Sequence, residues 1–242
     1  MARRSTGTAS AERGSGTSDT ETAPPVRRGK EARRREILDA AAEVFLEKGY
    51  DASSTQEIAD KVGILKGSLY YYVTSKEDFL YEIIRETHTG AVRAIEPVLA
   101  METDGLHRLA NLILRQVEFF TANRTKSVVF FREYRALSAE RRAEIEPEGE
   151  RYRAMVGALL ADGQQDGTIS ADLDVRMTSM AIVEMLNSVH RWFRSTGRVS
   201  AARLGRDMAA MLCLGVASQA AIEAHGGADK LREKIENGWG RT

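Results

Sequence analysis

Ser54-Thr55-Gln56-Glu57-Ile58-Ala59-Asp60-Lys61-Val62-Gly63-Ile64-Leu65-Lys66-Gly67-Ser68-Leu69-Tyr70-Tyr71-Tyr72-Val73-Thr74-Ser75-Lys76 is the stretch on which the fold turns. Ser54 with Glu57 three residues on forms a capping box, so a helix starts there. Ile58, Ala59 and Val62 follow at helical spacing, and Gly63 supplies the left-handed stop that glycine adopts without strain. Ile64 and Leu65 return the chain to an apolar core. The pattern predicts a second helix running to about Val73, with Leu69 and Val73 on its inner face. Ser75 with Asp78 opens another capping box. Two short helices joined at a glycine make a helix-turn-helix, a device that places one helix in the DNA major groove.

The outer face of the second helix carries Lys66, Gly67, Ser68, Tyr70, Tyr71 and Tyr72. These groups can donate to phosphates, touch base edges and pack on thymine methyls. Successive side chains on a helix point about 100° apart, so three consecutive tyrosines cannot share one core and at least one is exposed. The competing reading is a plain helical hairpin with tyrosines at a surface or interface.

Upstream, Arg34 to Lys48 carries an apolar stripe of Ile37, Leu38, Ala41, Ala42, Val44, Phe45 and Leu46, ended by Gly49. Three helices then share a small core of Ile37, Phe45, Ile58, Leu65 and Leu69, a minimal unit that gains from packing on a larger domain. Arg35 to Leu80 as a whole resembles the DNA-binding domain of TetR-type transcriptional regulators. The resemblance lies in Ile37–Tyr50 (ILDAAAEVFLEKGY), Ser53–Gly63 (SSTQEIADKVG) and Gly67–Leu80 (GSLYYYVTSKEDFL), and covers about a fifth of the chain.

The resemblance implies roles for the matching positions. Thr55 and Gln56 stand where such proteins grip phosphates. Lys66, Gly67, Ser68, Tyr70, Tyr71 and Tyr72 stand where they face the major groove or its walls. Lys76 stands where a lysine neutralises a phosphate at the start of the fourth helix. Val73 occupies a place where many members carry phenylalanine. Just before the head, Arg27, Arg28, Lys30, Arg33, Arg34 and Arg35 form a basic run against Glu31 and Glu36. Arg33 and Arg34 are candidate contacts to the duplex backbone or minor groove.

Composition agrees with a local rather than a general affinity for nucleic acid. The 35 basic and 35 acidic residues cancel, whereas a non-specific nucleic-acid coat would be strongly basic. Residues 1–30 are rich in Ser, Thr, Gly and Ala with little apolar bulk, and are expected to be a disordered arm. They contain no secretory apolar core. No stretch approaches the roughly 20 apolar residues of a membrane span, and a cytoplasmic protein is expected. The single Cys213 allows no internal disulfide, and its apolar neighbours assign it to packing.

The rest of the chain reads as helix: Lys76 towards Pro97, which should kink or end it; Leu106 to Ala122; Lys126 to Leu137; Ser138 to Asp166 with a break near Pro147; Val175 to Ser195; and Ser200 to Glu223. A Gly-rich, charged tail from His225 has room for one short helix. The fold class is all-α, divided into an arm (1–30), a helix-turn-helix head (31–80), a helical effector-binding and dimerisation domain (81–224) and a tail (225–242). Val175, Ile182, Met185, Leu186, Val189 and Phe193 stripe one of the last two long helices, and Leu204, Met208, Met211, Leu212, Gly215 and Val216 the other. Two such helices from each of two subunits can form a four-helix bundle, and the family resemblance implies such a homodimer. Its two-fold symmetry matches an inverted-repeat operator in double-stranded DNA.

Large adaptable side chains in the middle and late helices are candidates for a ligand pocket: Phe119, Phe120, Phe130, Phe131, Tyr134, Tyr152, Met155, Met180 and Trp192, with Asn187 as a polar anchor. Ordinary core is the competing reading for each. A hydrophobic or acyl-type effector fits best, with a CoA thioester as one option because some relatives respond to these. No cofactor is expected. His88, His107, His190 and His225 are scattered without metal-ligand spacing, and no phosphate loop or serine nucleophile motif is present. The leading function is a ligand-released repressor. A helical ligand- or partner-binding protein, or a small helical enzyme, is the alternative.

Overall fold

The computed structural model describes residues 25–237 and 239, with side chains described from Gly29 onward. α1 spans Pro25–Lys48, so residues 25–30 are helical where the sequence suggested an arm. Proline at the first helical position costs nothing, because its missing N–H would be unbonded there, and the Arg, Lys, Glu and Ala that follow are strong helix formers. The disorder expected for residues 1–24 lies outside the described residues, as do the side chains of Arg27 and Arg28.

Gly49 ends α1 in the left-handed region at φ 82°. α2, Thr55–Val62, has the full reciprocal capping box between Ser54 and Glu57, and Gly63 closes it at φ 72°. α3 is shorter than expected: Lys66–Leu69 is a single turn, and Tyr70–Val73 continue in tight turns. A glycine, three aromatics and a β-branched valine give little propensity to extend it. α4, Lys76–Leu99, has the predicted Ser75/Asp78 box and runs two residues past Pro97.

α5 (Gly105–Ala122) and α6 (Arg124–Glu133) follow, then a 3-10 turn at Tyr134–Ala136. α7, Ala139–Gln165, passes through Pro147 without the expected break. Buried Ile145 and Tyr152 anchor the helix on either side of the proline, and packing overrides the one lost hydrogen bond.

α8 is Val175–Trp192. The last predicted helix divides into α9 (Ala201–Val216) and α10 (Gln219–Ala224). Residues 168–170 cause the division. The Ser170 N–H donates to Val216 O (2.9 Å) and the Ser218 N–H to Thr168 O (2.9 Å), an isolated antiparallel bridge that draws Ala217 out of the helix. The tail forms α11, Ala228–Glu236, which buries Leu231 and Ile235 against the body. Trp239 stacks on His107 with ring centroids 4.9 Å apart.

Two cores result. The larger joins α4, α5, α7, α8, α9 and α11. α5 and α7 touch backbone to backbone, since a Cβ on Gly105 would lie 2.3 Å from Gly163 Cα. The smaller core holds Ile37, Phe45, Ile58 and Leu69 of the head, and extends through Ile83 and Ile84 of α4 to Val129, Leu137 and Ile145. Ion pairs cross the same junction: Lys126 of α6 meets Asp39 of α1 (2.8 Å) and Glu86 of α4 (3.2 Å). Leu65, expected in this core, is 81% exposed. It sits at the N-cap corner of α3, and Leu69 fills the interior instead.

Candidate functional site

Of the expected head contacts, Lys66, Gly67, Tyr70 and Tyr71 stand exposed on one turn, with Tyr71 83% exposed. Ser68 is half-buried, and Tyr72 packs against the head core, so the three tyrosines divide between surface and interior although they lie in the turns after α3 and not on the helix. Thr55 is half-buried at the first position of α2, and exposed Gln56 donates its amide to Asp60 Oδ1 (2.7 Å). The cap of α2 is electrostatically firm. A hydrogen bond from Lys48, with those from Ser54, holds the Glu57 carboxyl at a pKa of about 2.

Three expected DNA contacts have other work in the structure. Arg34 bridges Glu82 (2.9 Å) and Glu86 (3.3 Å), tying α1 to α4. Arg33 pairs with Glu36 and donates to Val62 O (3.3 Å) at the end of α2. Lys76 Nζ donates to the carbonyls of Tyr50 (2.6 Å), Asp51 (3.2 Å) and Ser53 (2.8 Å), and lies 4.4 Å above the Tyr50 ring. An ammonium has three donors, and these carbonyls use all of them. Lys76 clamps the loop between α1 and α2. Apart from Glu36, their partners lie 23 to 52 residues away, which hid these roles from a local reading.

In the body, a cavity of about 430 Å³ lies between α4, α6, α7 and α8, with Phe120 of α5 in its wall. The expected residues Phe120, Phe130, Phe131, Tyr134, Tyr152 and Asn187 all line it. Their rings form an edge-to-face chain, Phe120 to Phe131 (5.3 Å), Phe131 to Phe130 (4.7 Å) and Phe130 to Tyr134 (6.2 Å). Thr87, His88, Glu146 and Arg153 also line it and were not anticipated. His88 Nδ1 lies 3.1 Å from Glu148 Oε2. The Tyr152 hydroxyl exposes less than 1 Å² and has no hydrogen-bond partner among the described residues. Burial pushes its pKa upward.

Four other candidates lie elsewhere. Phe119 packs against Gly90 of α4, where even a methyl group would come within 2.7 Å of its ring. Met155 belongs to the body core. Met180 and Trp192 are about half exposed, as is Met211 of α9, and Met177 and Met185 of α8 are exposed beside them. This apolar surface follows the two helices expected to form an interface.

A second cleft adjoins the cavity and shares Phe131, Glu184 and Asn187 with it. It gathers Arg124, Arg132, Arg135, Arg191 and Arg194 from α6, its following turn, the end of α8 and the loop after it. His190 also lines it, stacked on Phe131 at 4.4 Å, and desolvation pushes its pKa down. Arginines spread over about seventy residues of sequence gave no local motif.

A family model described as bacterial regulatory proteins, tetR family, matches residues 37–83, and one described as tetracyclin repressor-like, C-terminal domain, matches 102–216. The HTH-type transcriptional repressor KstR2 of Rhodococcus jostii (strain RHA1) is 30% identical over 194 residues, covering 78% of this chain and 94% of its own. The chain belongs to the TetR family of transcriptional regulators.

The fold over about three quarters of the chain agrees with that membership. The crystal structure of the TetR-family regulator PfmR from Thermus thermophilus superposes with a TM-score of 0.69 at 32% identity, covering 73% of this chain and 96% of that one. The fatty acid metabolism regulator protein of Bacillus subtilis (strain 168) is 26% identical over 188 residues, covering 77% of this chain and 97% of its own. The TetR-family C-terminal match ends at Val216, so α10 and α11 lie beyond it. Among the described residues no helix is long and apolar enough to cross a membrane.

Proposed function

We propose that this TetR-family regulator is a cytoplasmic homodimeric repressor, released from an inverted-repeat operator by an amphipathic small molecule with an apolar acyl body and an anionic head. The observation that carries the ligand class is the adjacency of the aromatic cavity and the five-arginine cleft, which have Phe131, Glu184 and Asn187 as common lining. An acyl chain fits the first, where apolar burial drives binding. Phosphates fit the second, because guanidinium forks bond phosphate oxygens in pairs. A CoA thioester combines the two. The Bacillus subtilis relative, named a fatty acid metabolism regulator, points the same way.

The apolar faces of α8 and α9 supply the dimer surface, two helices from each subunit. α4 carries the signal. Its N-terminal turn closes the head, and Thr87, His88 and Ala91 further along it wall the cavity. A ligand that prefers one tilt of α4 shifts the population of head spacings, by no more than its difference in affinity for the two states.

Operator release, followed by fluorescence anisotropy, tests this with a long-chain acyl-CoA, the corresponding free acid and CoA alone. The thioester should release the operator at the lowest concentration, and the double variant Arg132→Glu/Arg194→Glu should blunt its response while sparing that to the acid. A thioester that binds tightly without altering operator affinity would sink the proposal, as would an unchanged response in the arginine variant.

A further inference from the structure

We propose that Leu65 is a base-reading residue, placed to cover a thymine methyl in the major groove, and that α3 forgoes its helix cap to present it. The inference rests on the chain being a DNA-binding regulator and adds a specificity residue outside the familiar exposed set.

Leu65 is the N-cap of α3, and no side-chain hydrogen bond reaches the first turn of that helix among the described residues. N-caps favour Ser, Thr, Asp and Asn because a side-chain oxygen satisfies an orphan N–H. At the other α-helices whose N-caps are described the residue is of a favoured type, although Asn123 of α6 and Gly227 of α11 make no side-chain cap bond. Ser54, Ser75, Asp104, Ser138, Asp174, Ser200 and Ser218 each cap a helix through a side-chain oxygen. Leu65 breaks that preference at the helix of the head that faces outward.

A second rule is broken at the same residue. Leu65 is 81% exposed, although the neighbouring Leu69 is fully buried. The large hydrophobic side chains exposed in the described head are Leu65, Tyr70 and Tyr71, all within seven residues. An apolar cluster confined to the tip of a DNA-binding unit marks a contact surface. Where local rules fail together without a structural return, a functional demand is the expected cause.

The surroundings identify the occupant. Lys66 and Gly67 are exposed beside Leu65, and a Cβ on Gly67 would meet nothing within 4 Å, so the backbone of this turn is open to close approach. In the major groove the thymine C5-methyl is the apolar feature of the base edges, whereas guanine, cytosine and adenine present donors and acceptors. A bare leucine at this corner therefore favours an A·T pair oriented with its methyl toward α3.

The test begins with an operator selected from random duplexes by the full-length protein. Each thymine of a half-site is then replaced in turn by deoxyuracil, which removes only the methyl, and binding of wild type and Leu65→Ser is compared. One replacement should weaken wild type about fourfold, the factor for one buried carbon at roughly 0.8 kcal/mol. Leu65→Ser should bind the thymine and uracil duplexes alike. It should also melt no lower than wild type, because serine restores the cap. The inference is overturned if no methyl matters to wild type, or if Leu65→Ser keeps the same methyl dependence. Equal weakening on operator and random DNA would also overturn it and assign Leu65 to the sugar–phosphate wall. A wild type that enriches no sequence would remove the regulator reading as well.

Discussion

Replacing Lys76 by methionine should weaken the fold while leaving the ionic character of DNA binding unchanged. The lysine stands at the first position of α4, where the helix dipole disfavours a cation, so its position needs a specific return. That return is the loop from Gly49 to Ser54. The bonds to Tyr50 O and Ser53 O are partly buried and that to Asp51 O is exposed. Hydrogen bonds to a charged group contribute about 1.5–3 kcal/mol each. Discounting the exposed one and allowing for shared geometry, the loss is about 3 kcal/mol. For a chain of this size that lowers Tm by roughly 6–12 °C. Methionine keeps much of the aliphatic stem over the Tyr50 ring, so the loss reports the ammonium rather than the packing. Differential scanning calorimetry measures the first quantity. The second is the slope of log affinity against log salt, which falls by about 0.9 for every phosphate contact removed. Unchanged stability with a slope reduced by about that much per head would refute the clamp and restore Lys76 as a phosphate ligand.

Tyr152→Phe should stabilise the protein, since it removes a sealed hydroxyl whose desolvation costs about 1–3 kcal/mol; a lower melting temperature would mean that the hydroxyl is bonded in solution. Gly105→Ala should destabilise by at least the ~1–3 kcal/mol of ordinary overpacking, because the clash is with the Gly163 backbone, whereas Gly67→Ala, with open space around it, should leave thermal stability unchanged or slightly higher. Thermal unfolding of both variants settles the contrast, and a stable Gly105→Ala protein would disprove the close crossing of α5 and α7. The Glu57 carboxyl is held at about 2 against an ordinary value of 4.5, so its contribution is complete above about 4.5 and is lost as pH falls from there towards 2. Glu57→Gln should flatten the acid limb of a stability–pH profile in that window, and an unaltered limb would contradict the assignment.

What the sequence revealed and what it hid divide along interaction range. The caps at Ser54 and Ser75 and the glycine stops at 49 and 63 were legible because each is written within a few residues, and the aromatic pocket wall because side-chain type alone suggested it, its members being spread from Phe120 to Tyr152. Lys76, Arg34 and the arginine cleft were not, because their partners come from distant helices. Methionines illustrate the same limit. Spacing showed that Met155 and Met180 lie on helices, but only packing separates the buried one from the exposed one. The end of α9 escaped for a related reason, since its interruption is imposed by residues 168–170 from across the fold. Leu65 was misread because an apolar residue beside Ile64 looks like core until the direction of the chain at the α3 corner is known.

The smaller core has a practical consequence for anyone building chimeras. Val129, Leu137 and Ile145 complete the interior of the head, and Phe130, Tyr134 and Ile145 at the same junction wall the cavity. A splice at Leu80 would leave unmatched halves of one hydrophobic interior on the two sides of the cut. The seam between reader and sensor is a surface shared by α1, α4, α6 and α7, not a point on the chain. A head borrowed from a relative therefore has to arrive with substitutions at 129, 137 and 145 that fit it, and the one at 145 in turn reshapes what the cavity accepts.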